Sequence, residues 1–248
     1  SPAVDAPRKA SHNLVLHGSV TESGEPLLLA KPQHRLMSPS LYYEYAMTAA
    51  QGRLDCRGAG LAGCPAFFHG WNRFAAWSMT SMPADVSDVY AVSFVDNQHT
   101  QYLVDGSPLP VLNLPESILL TDGSLVSWRH RRTKWGPLIS DYECGSPRCG
   151  LGNPLEHSMR SLVFDDALLR KQHSITGALE LMRAGVKSEL VAATGKWRSP
   201  GGHMLVATTA GDIGYRALTG MPRRPASSVP LGVAVLNGNT NADDWQGE

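Results

Sequence analysis

The sequence lacks an excess of charge of either sign. Its 22 Lys and Arg residues are matched by 22 Asp and Glu residues, so the formal net charge at pH 7 is zero. A protein that binds nucleic acid or an anionic membrane surface needs a basic excess. We therefore expect neither nucleic acid nor a membrane among the partners of this chain.

The sequence also lacks long hydrophobic runs and a visible export signal. No stretch approaches the roughly 18 consecutive apolar residues of a membrane-spanning helix. The chain begins with Ser-Pro-Ala-Val rather than Met, shows no signal-peptide pattern and stops abruptly at its last glutamate. We therefore expect both ends to be positions at which a longer protein was cut.

Cysteine is scarce, because four residues among 248 are too few to hold a fold of this size together by disulfides. They form two close pairs, Cys56 with Cys64 and Cys144 with Cys149. Neither pair has the spacing of a zinc knuckle, so zinc binding has little support. Two local disulfides in an exported protein and four free thiols remain open as alternatives.

Turn-forming residues are abundant, with 24 Gly and 17 Pro. They separate segments of alternating hydrophobicity, which predicts short strands and hairpins, and the clearest hairpins span residues 12–30 and 204–217. One helix is predicted where apolar residues recur at intervals of three and four from Ile175 to Val186. Many strands and few helices indicate an α+β fold with antiparallel sheets.

Residues 58–63 match the pattern G-x-G-x-x-G that dinucleotide-binding proteins use. That motif needs a strand before it and a helix after it. Here Pro65 follows directly after Cys64, and proline disfavours helical geometry in the residue before it. We interpret the segment as a glycine-rich turn and expect no organic cofactor.

Ser11 lies at a boundary between two kinds of sequence. Residues 1–10 contain two prolines and the pair Arg8-Lys9, which is typical of an exposed linker, and a predicted strand follows. Cleavage before Ser11 would give it a free α-amine, whose pKa of about 7.7–8.0 lets it accept a proton near neutral pH. One residue would then supply both the nucleophile and the base.

Five segments, in the same order, resemble the catalytic β-chain of the penicillin acylase family. Residues 11–28, SHNLVLHGSVTESGEPLL, resemble the start of that chain, which typically has the pattern S-N-x-W-x-x-x-G-S-x-T-x-S-G-x-P-L-L. The other segments are residues 70–77, 80–90, 131–141 and 211–215. The similarity extends from Ser11 to the region of Pro225, and chance does not produce five collinear matches.

The resemblance implies the fold of N-terminal nucleophile hydrolases, an α+β fold in which an αββα sandwich of antiparallel sheets is present here in incomplete form. It implies a linker or propeptide remnant over residues 1–10 and a hydrolase domain over residues 11–248 that is truncated at its C-terminus. The family hydrolyses linear amides, often an acyl group on an antibiotic nucleus or on a homoserine lactone. Its precursors are exported and cleave themselves, so we expect a periplasmic or secreted protein that is made as a zymogen.

The resemblance also assigns catalytic roles. Ser11 would attack the amide carbonyl and form an acyl-enzyme, while its own α-amine, through a water, would take the hydroxyl proton and return it to the leaving amine. Ser81 would donate its backbone N–H to the oxyanion, and Gln33 would orient the nucleophile. The substrate would be an acylated small molecule.

Three positions match those that line the acyl pocket in family members that accept benzyl groups: His34, His69 and Met79. Two imidazoles make such a pocket more polar than a slot for a phenyl ring. We therefore expect poor turnover of phenylacetyl amides.

Asp85 and Asp88, with the backbone carbonyl of Ser87, match the structural calcium ligands of the family. Two carboxylates three residues apart in a turn are by themselves more typical of a helix cap or a solvated loop, and a calcium ion needs about six to eight oxygen ligands. The resemblance therefore implies a structural Ca²⁺ whose other ligands come from elsewhere.

The chain departs from the family pattern at His12, where asparagine is usual, and at Leu14, where tryptophan is usual. Residues 244–247 resemble the D-W-x-G motif that precedes a second oxyanion donor, an asparagine beyond the end of this sequence. We expect an α-chain and the remaining C-terminal part of the β-chain as partners. The alternative hypothesis is a catalytically inactive, truncated paralogue that serves as a binding or interaction module.

Overall fold

The structure is a computed structural model that describes residues 10–34, 37–49, 54–141, 155–161, 173–226 and 234–247. The chain divides into two compact units. The first consists of the residues up to Ala84 together with Gln172–Thr219, and the second of Asp85–Lys171 together with Gly220–Glu248. The predicted domain boundaries stay a prediction, and the predicted linker lies outside the described residues except for its last one.

The described residues form sixteen strands and two α-helices, a composition that agrees with the predicted α+β class. The strands are β1 (Ala10–Leu16), β2 (Leu27–Gln33), β3 (Tyr42–Ala49), β4 (Leu54–Leu61), β5 (His69–Asn72), β6 (Ala75–Ser81), β7 (Ser87–Ser93), β8 (Gln101–Val104), β9 (Ser107–Pro110), β10 (Leu112–Leu119), β11 (Leu125–Thr133), β12 (Gly136–Pro137), β13 (Leu155–Ser161), β14 (Gly202–Thr208), β15 (Ile213–Leu218) and β16 (Leu236–Asn237). The helices are α1 (Ser174–Leu181) and α2 (Lys187–Gly195).

The first unit is built on a six-stranded antiparallel sheet in the order β15-β14-β6-β5-β4-β3. Successive side chains of each strand point to opposite faces of the sheet. One face, with Trp77 and Met204, packs against Leu181 of α1 and Leu190 of α2 in a common hydrophobic core. The hairpin of β1 and β2 packs against β6 and β14, so the sheet carries helices on one face and a second β layer on the other.

The side chain of Asn72 links the sheet to the end of α1. The carboxamide oxygen of Asn72 accepts hydrogen bonds from the backbone N–H groups of Phe74 and Ala75, both at 2.8 Å. Its amide nitrogen donates to the carbonyl oxygens of Met182 at 3.1 Å and Ala184 at 2.8 Å. Because both donors and the acceptor of the amide are used, the turn between β5 and β6 is held against the end of α1.

The second unit, as far as the structure describes it, contains three smaller sheets in the orders β13-β7-β16, β10-β11-β12 and β8-β9. Burial alternates along β7, where Asp88, Tyr90 and Val92 are buried and the residues between them are partly exposed. Tyr90 stacks on Trp135 with ring centroids 4.3 Å apart and an interplanar angle of 7°. This stacked pair lies in the hydrophobic core of the second unit.

Both hairpins predicted from the sequence are confirmed, because β1 pairs with β2 and β14 pairs with β15 in antiparallel registers. The interpretation of residues 58–63 as a glycine-rich turn is only partly right, because residues 58–61 belong to β4 and only Ala62 and Gly63 lie in the turn after it. Gly58 is needed for close packing inside the sheet. A Cβ atom there would lie 2.2 Å from the carbonyl oxygen of His69 in the neighbouring strand.

The helix predicted from Ile175 to Val186 is wrong in its length and only partly right in its buried face. Of the apolar residues that predicted it, Met182 is buried and Leu179 packs against the core. The first helix ends at Leu181, while Ile175 and Val186 are 63% and 54% exposed. The buried face of α1 consists of Gly177, Ala178 and Leu181. The spacing of large apolar residues missed Gly177 and Ala178 because both side chains are small. The second helix, α2, was not predicted.

Of the four cysteines, the structure describes Cys56 and Cys64, and both are free thiols. Burial raises the pKa of Cys56 to about 11. Cys144 and Cys149 lie outside the described residues. In the part of the chain that the structure describes, no helix is both long enough and apolar enough to cross a bilayer.

Candidate active site

The predicted nucleophile lies at the start of the β1–β2 hairpin. Ser11 pairs opposite Pro32, and the backbone N–H of Gln33 donates to the Ser11 hydroxyl oxygen at 3.3 Å. The antiparallel register thus brings together two residues that are 22 positions apart. The backbone of Gln33, rather than its side chain, makes this contact. The α-nitrogen of Ser11 is bonded to Ala10, so a free α-amine exists only after that bond is cleaved.

The predicted oxyanion donor lies on a strand that packs against this hairpin. Ser81 is the last residue of β6, pairs opposite Gly202 and has an exposed side chain. β6 packs against both β1 and β2. The strand of the nucleophile and the strand of the donor therefore lie in two β layers that pack against each other. The role of Ser81 stays a prediction.

A cavity of about 760 Å³ lies between the hairpin and the six-stranded sheet. Its apolar lining from β2 consists of Leu28, Ala30 and Pro32, and small residues such as Ala76 line it from the sheet. The polar residues in its wall are Glu44, Arg57 and His69. Sites for small molecules commonly have volumes of about 300–1,000 Å³, a mostly apolar lining and a few polar groups that orient the ligand. The cavity has the size and chemistry to hold an acyl chain.

Two of the three predicted acyl-pocket residues come together around one tyrosine. The ring centroid of Tyr42 lies 5.2 Å from that of His34 and 5.6 Å from that of His69. His69 is buried, and its Nδ1 atom has no hydrogen-bond partner among the described residues. Burial, with a smaller contribution from the charge of His34, lowers the pKa of His69 to about 4. The imidazole is therefore neutral at pH 7 and has one nitrogen available for a ligand.

Met79, the third of these residues, lies apart from the two histidines. Trp71 pairs directly opposite Ala76, so these two residues share a face of the sheet. Strand alternation places His69 on that face and Met79 on the other. Met79 is buried in the core between the sheet and the helices. Its role in acyl binding stays a prediction, and this position does not support it.

Two further polar side chains near the hairpin were not predicted from the sequence. Both amide atoms of Asn13 and the hydroxyl oxygen of Ser78 are buried, and none of them has a hydrogen-bond partner in the described part of the chain. Asn13 follows Ser11 by two residues and so lies on the same face of β1. Ser78 follows the cavity-lining Ala76 by two residues and shares its face. Buried polar groups without partners are costly, so these positions indicate where a ligand or water completes the hydrogen bonding.

The predicted calcium ligands are engaged by an arginine. The Nε atom of Arg224 donates to Asp88 Oδ2 at 2.7 Å, and a terminal nitrogen of the same guanidinium lies 3.1 Å from Asp85 Oδ1. The indole N–H of Trp245 donates to the same Asp88 oxygen at 2.7 Å. Ser87 uses its hydroxyl in a hydrogen bond to β13. Because the guanidinium of Arg224 already pairs with both carboxylates, this donor set does not fit calcium, whose presence stays a prediction. Within the described ranges, no group of three or more His, Cys, Asp or Glu could hold a metal ion.

The segment that resembles the D-W-x-G motif has a structural role in the second unit. Asp244 forms ion pairs with Arg160 and Lys134. Asn239 and Asn241, which precede the motif, also form hydrogen bonds inside this unit, to Ser93 and to the turn after β8. These asparagines are therefore occupied as structural groups.

Known proteins of one family are similar to this chain. The family model described as penicillin amidase matches residues 2–248. The chain is 28% identical over 138 residues to the acyl-homoserine lactone acylase PvdQ of Pseudomonas putida, which covers 54% of this chain and 18% of that protein. It is 30% identical over 123 residues to the aculeacin-A acylase of Actinoplanes utahensis, which covers 50% of this chain and 15% of that protein. Identity to the acyl-homoserine lactone acylase QuiP of Pseudomonas syringae pv. tomato is 24% over 239 residues, 96% of this chain and 27% of that protein.

A solved structure shows the same fold. A thermostable penicillin G acylase from Alcaligenes faecalis matches with a TM-score of 0.79 and 21% identity, covering 95% of this chain and 40% of that chain. This likeness confirms the predicted fold class, an incomplete α+β sandwich of antiparallel sheets. The chain spans only 15% to 27% of the length of the three curated relatives, so their activities are properties of much longer proteins.

Proposed function

Because the chain belongs to the penicillin amidase family, we propose that it is part of the catalytic chain of an amidohydrolase. The enzyme cleaves a linear amide of an acylated small molecule through a serine nucleophile and an acyl-enzyme. The observation that carries this proposal is the position of Ser11 at the start of β1. Its hydroxyl oxygen accepts a hydrogen bond from Gln33, and the same hairpin lines a cavity of about 760 Å³.

Catalysis begins after cleavage of the bond between Ala10 and Ser11. The freed α-amine, with a pKa of about 7.7–8.0, takes the hydroxyl proton of Ser11 through a water while the oxygen attacks the amide carbonyl carbon. The backbone N–H of Ser81 donates to the oxyanion. Cleavage of the C–N bond returns the proton to the leaving amine, and a water then hydrolyses the acyl-enzyme and regenerates the serine. Loss of one oxyanion donor costs about 10²–10³ in kcat, so the second donor is supplied by the remaining part of the β-chain.

The acyl group of the substrate occupies the cavity under the hairpin. Leu28 and Ala30 supply its apolar lining, while the neutral imidazole of His69, beside Tyr42, supplies a polar wall. This combination favours an acyl chain that carries a polar group over a plain phenylacetyl group. The relatives reported above are acylases of acyl-homoserine lactones, aculeacin A and penicillin G. The substrate that we propose is therefore related to an antibiotic or to an acyl-homoserine lactone.

An α-chain and the remaining part of the β-chain complete the enzyme. The outward face of the hairpin supports this, because Leu14, Leu27 and Leu29 are 49%, 55% and 56% exposed and Leu14 pairs directly opposite Leu29. Contiguous apolar side chains on one face mark a surface that another segment covers. The precursor is a zymogen that is exported, cleaves itself and acts in the periplasm or outside the cell.

The test compares the complete protein from its native source with its Ser11→Ala variant. Intact mass and N-terminal sequencing should identify a wild-type chain that begins at Ser11 alongside a second polypeptide, and the variant should lose amide hydrolysis. Ser19→Ala, in the exposed 3-10 turn after β1, is the matched control and should leave processing and activity unchanged. A native protein that still carries residues 1–10 would contradict the proposal and favour the inactive paralogue that acts as a binding module.

A further inference from the structure

The two carboxylates at the start of β7 have a cation built into the same chain. Arg224 donates from Nε to Asp88 Oδ2 at 2.7 Å. Its second nitrogen lies 3.1 Å from Asp85 Oδ1 and donates to the backbone oxygen of Asp85 at 3.4 Å. We propose that Arg224 replaces the structural calcium ion of the family, so that this region of the protein folds and stays stable without a metal.

Asp88 is the residue that requires a cation here. It is only 1% exposed, and a buried carboxylate is stable only when it is paired and hydrogen-bonded. Its Oδ2 atom receives one hydrogen bond from Arg224 and one from the indole N–H of Trp245, each at 2.7 Å. A guanidinium stays charged at every accessible pH, and its planar set of donors can serve two carboxylates at once. The arginine therefore meets the charge requirement of this site.

A calcium ion at the same place would meet two obstacles. Bound to Asp85 and Asp88, it would lie close to the guanidinium of Arg224, and like charges repel strongly where water is excluded. It would also need about six to eight oxygen ligands. Asp88 offers only Oδ1, the one carboxylate oxygen of this residue without a hydrogen-bond partner among the residues described. Arginine and calcium are therefore alternative occupants of the site.

Arg224 also connects three segments of the second unit. Asp85 precedes β7, Arg224 follows the end of the six-stranded sheet in the sequence, and Trp245 lies near the C-terminus. Backbone hydrogen bonds of 2.8 Å in both directions join Arg223 to residues 246–247. Loss of the guanidinium would therefore weaken the attachment of both later segments to β7.

Terbium luminescence tests the proposal in the complete protein. Tb³⁺ occupies calcium sites and emits when a nearby tryptophan is excited, and Trp245 touches Asp88 directly. We expect the wild type and Asp85→Asn to give the same background emission. Arg224→Gln should gain an emission that excess Ca²⁺ removes. Wild-type emission that Asp85→Asn abolishes would overturn the proposal.

Thermal unfolding provides a second readout that does not depend on enzyme activity. The wild-type melting temperature should agree within about 1 °C between excess Ca²⁺ and a chelator, whereas Arg224→Gln should melt lower by about 5 °C or more, with part of the loss restored by Ca²⁺. Arg223→Gln is the matched control, because Arg223 bonds to the carbonyl oxygen of Gln246 and should behave as the wild type. The proposal is wrong if the chelator lowers the melting temperature of the wild type but not that of Asp85→Asn. This outcome can be measured even if Arg224→Gln does not fold.

Discussion

The cavity under the β1–β2 hairpin and the carboxylate cluster at β7 differ in how their buried polar groups are satisfied. Near the cavity, Asn13, His69 and Ser78 keep buried polar atoms that have no partner within the described residues. At β7, Oδ2 of the buried Asp88 carboxylate accepts hydrogen bonds from Arg224 and Trp245, and its charge is paired with the guanidinium, while Oδ1 has no partner among the described residues. The family resemblance marked residues in both regions as functional. Neutral polar groups left open around the cavity indicate a place for substrate or water, whereas a carboxylate whose charge is paired within the chain indicates a structural role.

The largest expected effect lies at the hairpin. Ser11→Ala should lower kcat/KM for amide hydrolysis by at least about 10³-fold, because the residue supplies both the nucleophile and, after cleavage, the base. The measurement is steady-state turnover of a panel of acyl amides by the complete protein. A variant that keeps most of its activity would contradict this prediction, because Ser11 would then not be the nucleophile for a substrate bound in the cavity.

The second effect is on stability and belongs to the carboxylate cluster. Arg224→Ala should cost about 3–5 kcal/mol in the free energy of unfolding, because it leaves a buried carboxylate without its countercharge. Arg223→Ala, a change at the neighbouring surface arginine, should cost no more than about 0.5 kcal/mol. Urea denaturation of both variants measures the difference. An equal loss of stability in the two variants would mean that the ion pair between Asp88 and Arg224 contributes little to the free energy of unfolding.

The third prediction concerns acyl preference. His69→Phe puts an apolar ring in place of a neutral imidazole whose Nδ1 atom has no partner among the described residues. The variant should therefore raise phenylacetyl turnover relative to that of polar acyl groups by about tenfold. The ratio of the two kcat/KM values measures the change. His17→Phe, an exposed site after β1, is the control. A wild type that already uses both kinds of acyl group equally well would contradict the polar-pocket hypothesis.

The pH dependence of stability should come partly from the same histidine. The folded-state pKa of His69, lowered by burial to about 4, lies below the value of about 6.5 for an unfolded chain. The unfolded state therefore binds more protons in this window, and stability falls as the pH drops from about 6.5 towards 4. Unfolding curves across this range should show a weaker pH dependence for His69→Phe than for the wild type. Identical slopes would mean that the imidazole is not buried.

The smallest effect on stability is expected at Ser78. Its sign tests whether the polar groups near the cavity lack structural partners. Ser78→Ala removes a buried hydroxyl that has no partner in the described chain, so stability should stay the same or rise by up to about 1 kcal/mol. Thr208→Ala is a suitable contrast, because that buried hydroxyl accepts a hydrogen bond from the backbone N–H of Asp212 at 3.1 Å and its loss should destabilise. A large loss at Ser78 would show that its hydroxyl has a structural partner.

Local sequence patterns predicted the hairpins but only one of the two helices, and that one with an incorrect end. Alternation and glycine turns act between neighbours in the chain, so β1–β2 and β14–β15 could be recognised without tertiary information. The buried face of α1 contains Gly177 and Ala178, whose burial depends on what packs against them. Hydrophobic spacing therefore selected the exposed Ile175 and Val186 together with the buried Met182, and it missed the small residues of the buried face.

The candidate site was predictable only in part. The resemblance marked Ser11 and Gln33, and the register of a hairpin brings them together. No pattern marked Asn13, Tyr42 or Ser78, because strand residues of these types are common and their importance comes from what surrounds them. Their contribution depends on which side chains face each other across the cavity, and spacing along the chain does not encode this.

The sequence by itself determined the hairpin that follows Ser11, because alternation and a glycine turn are short-range patterns, and the family resemblance marked Ser11 and Gln33. Only the tertiary structure decided what neutralises Asp85 and Asp88. Arg224 lies 139 positions from Asp85 along the chain. Whether one charge compensates another depends on their separation in space and on the exclusion of water around them, and these quantities exist only in the folded protein.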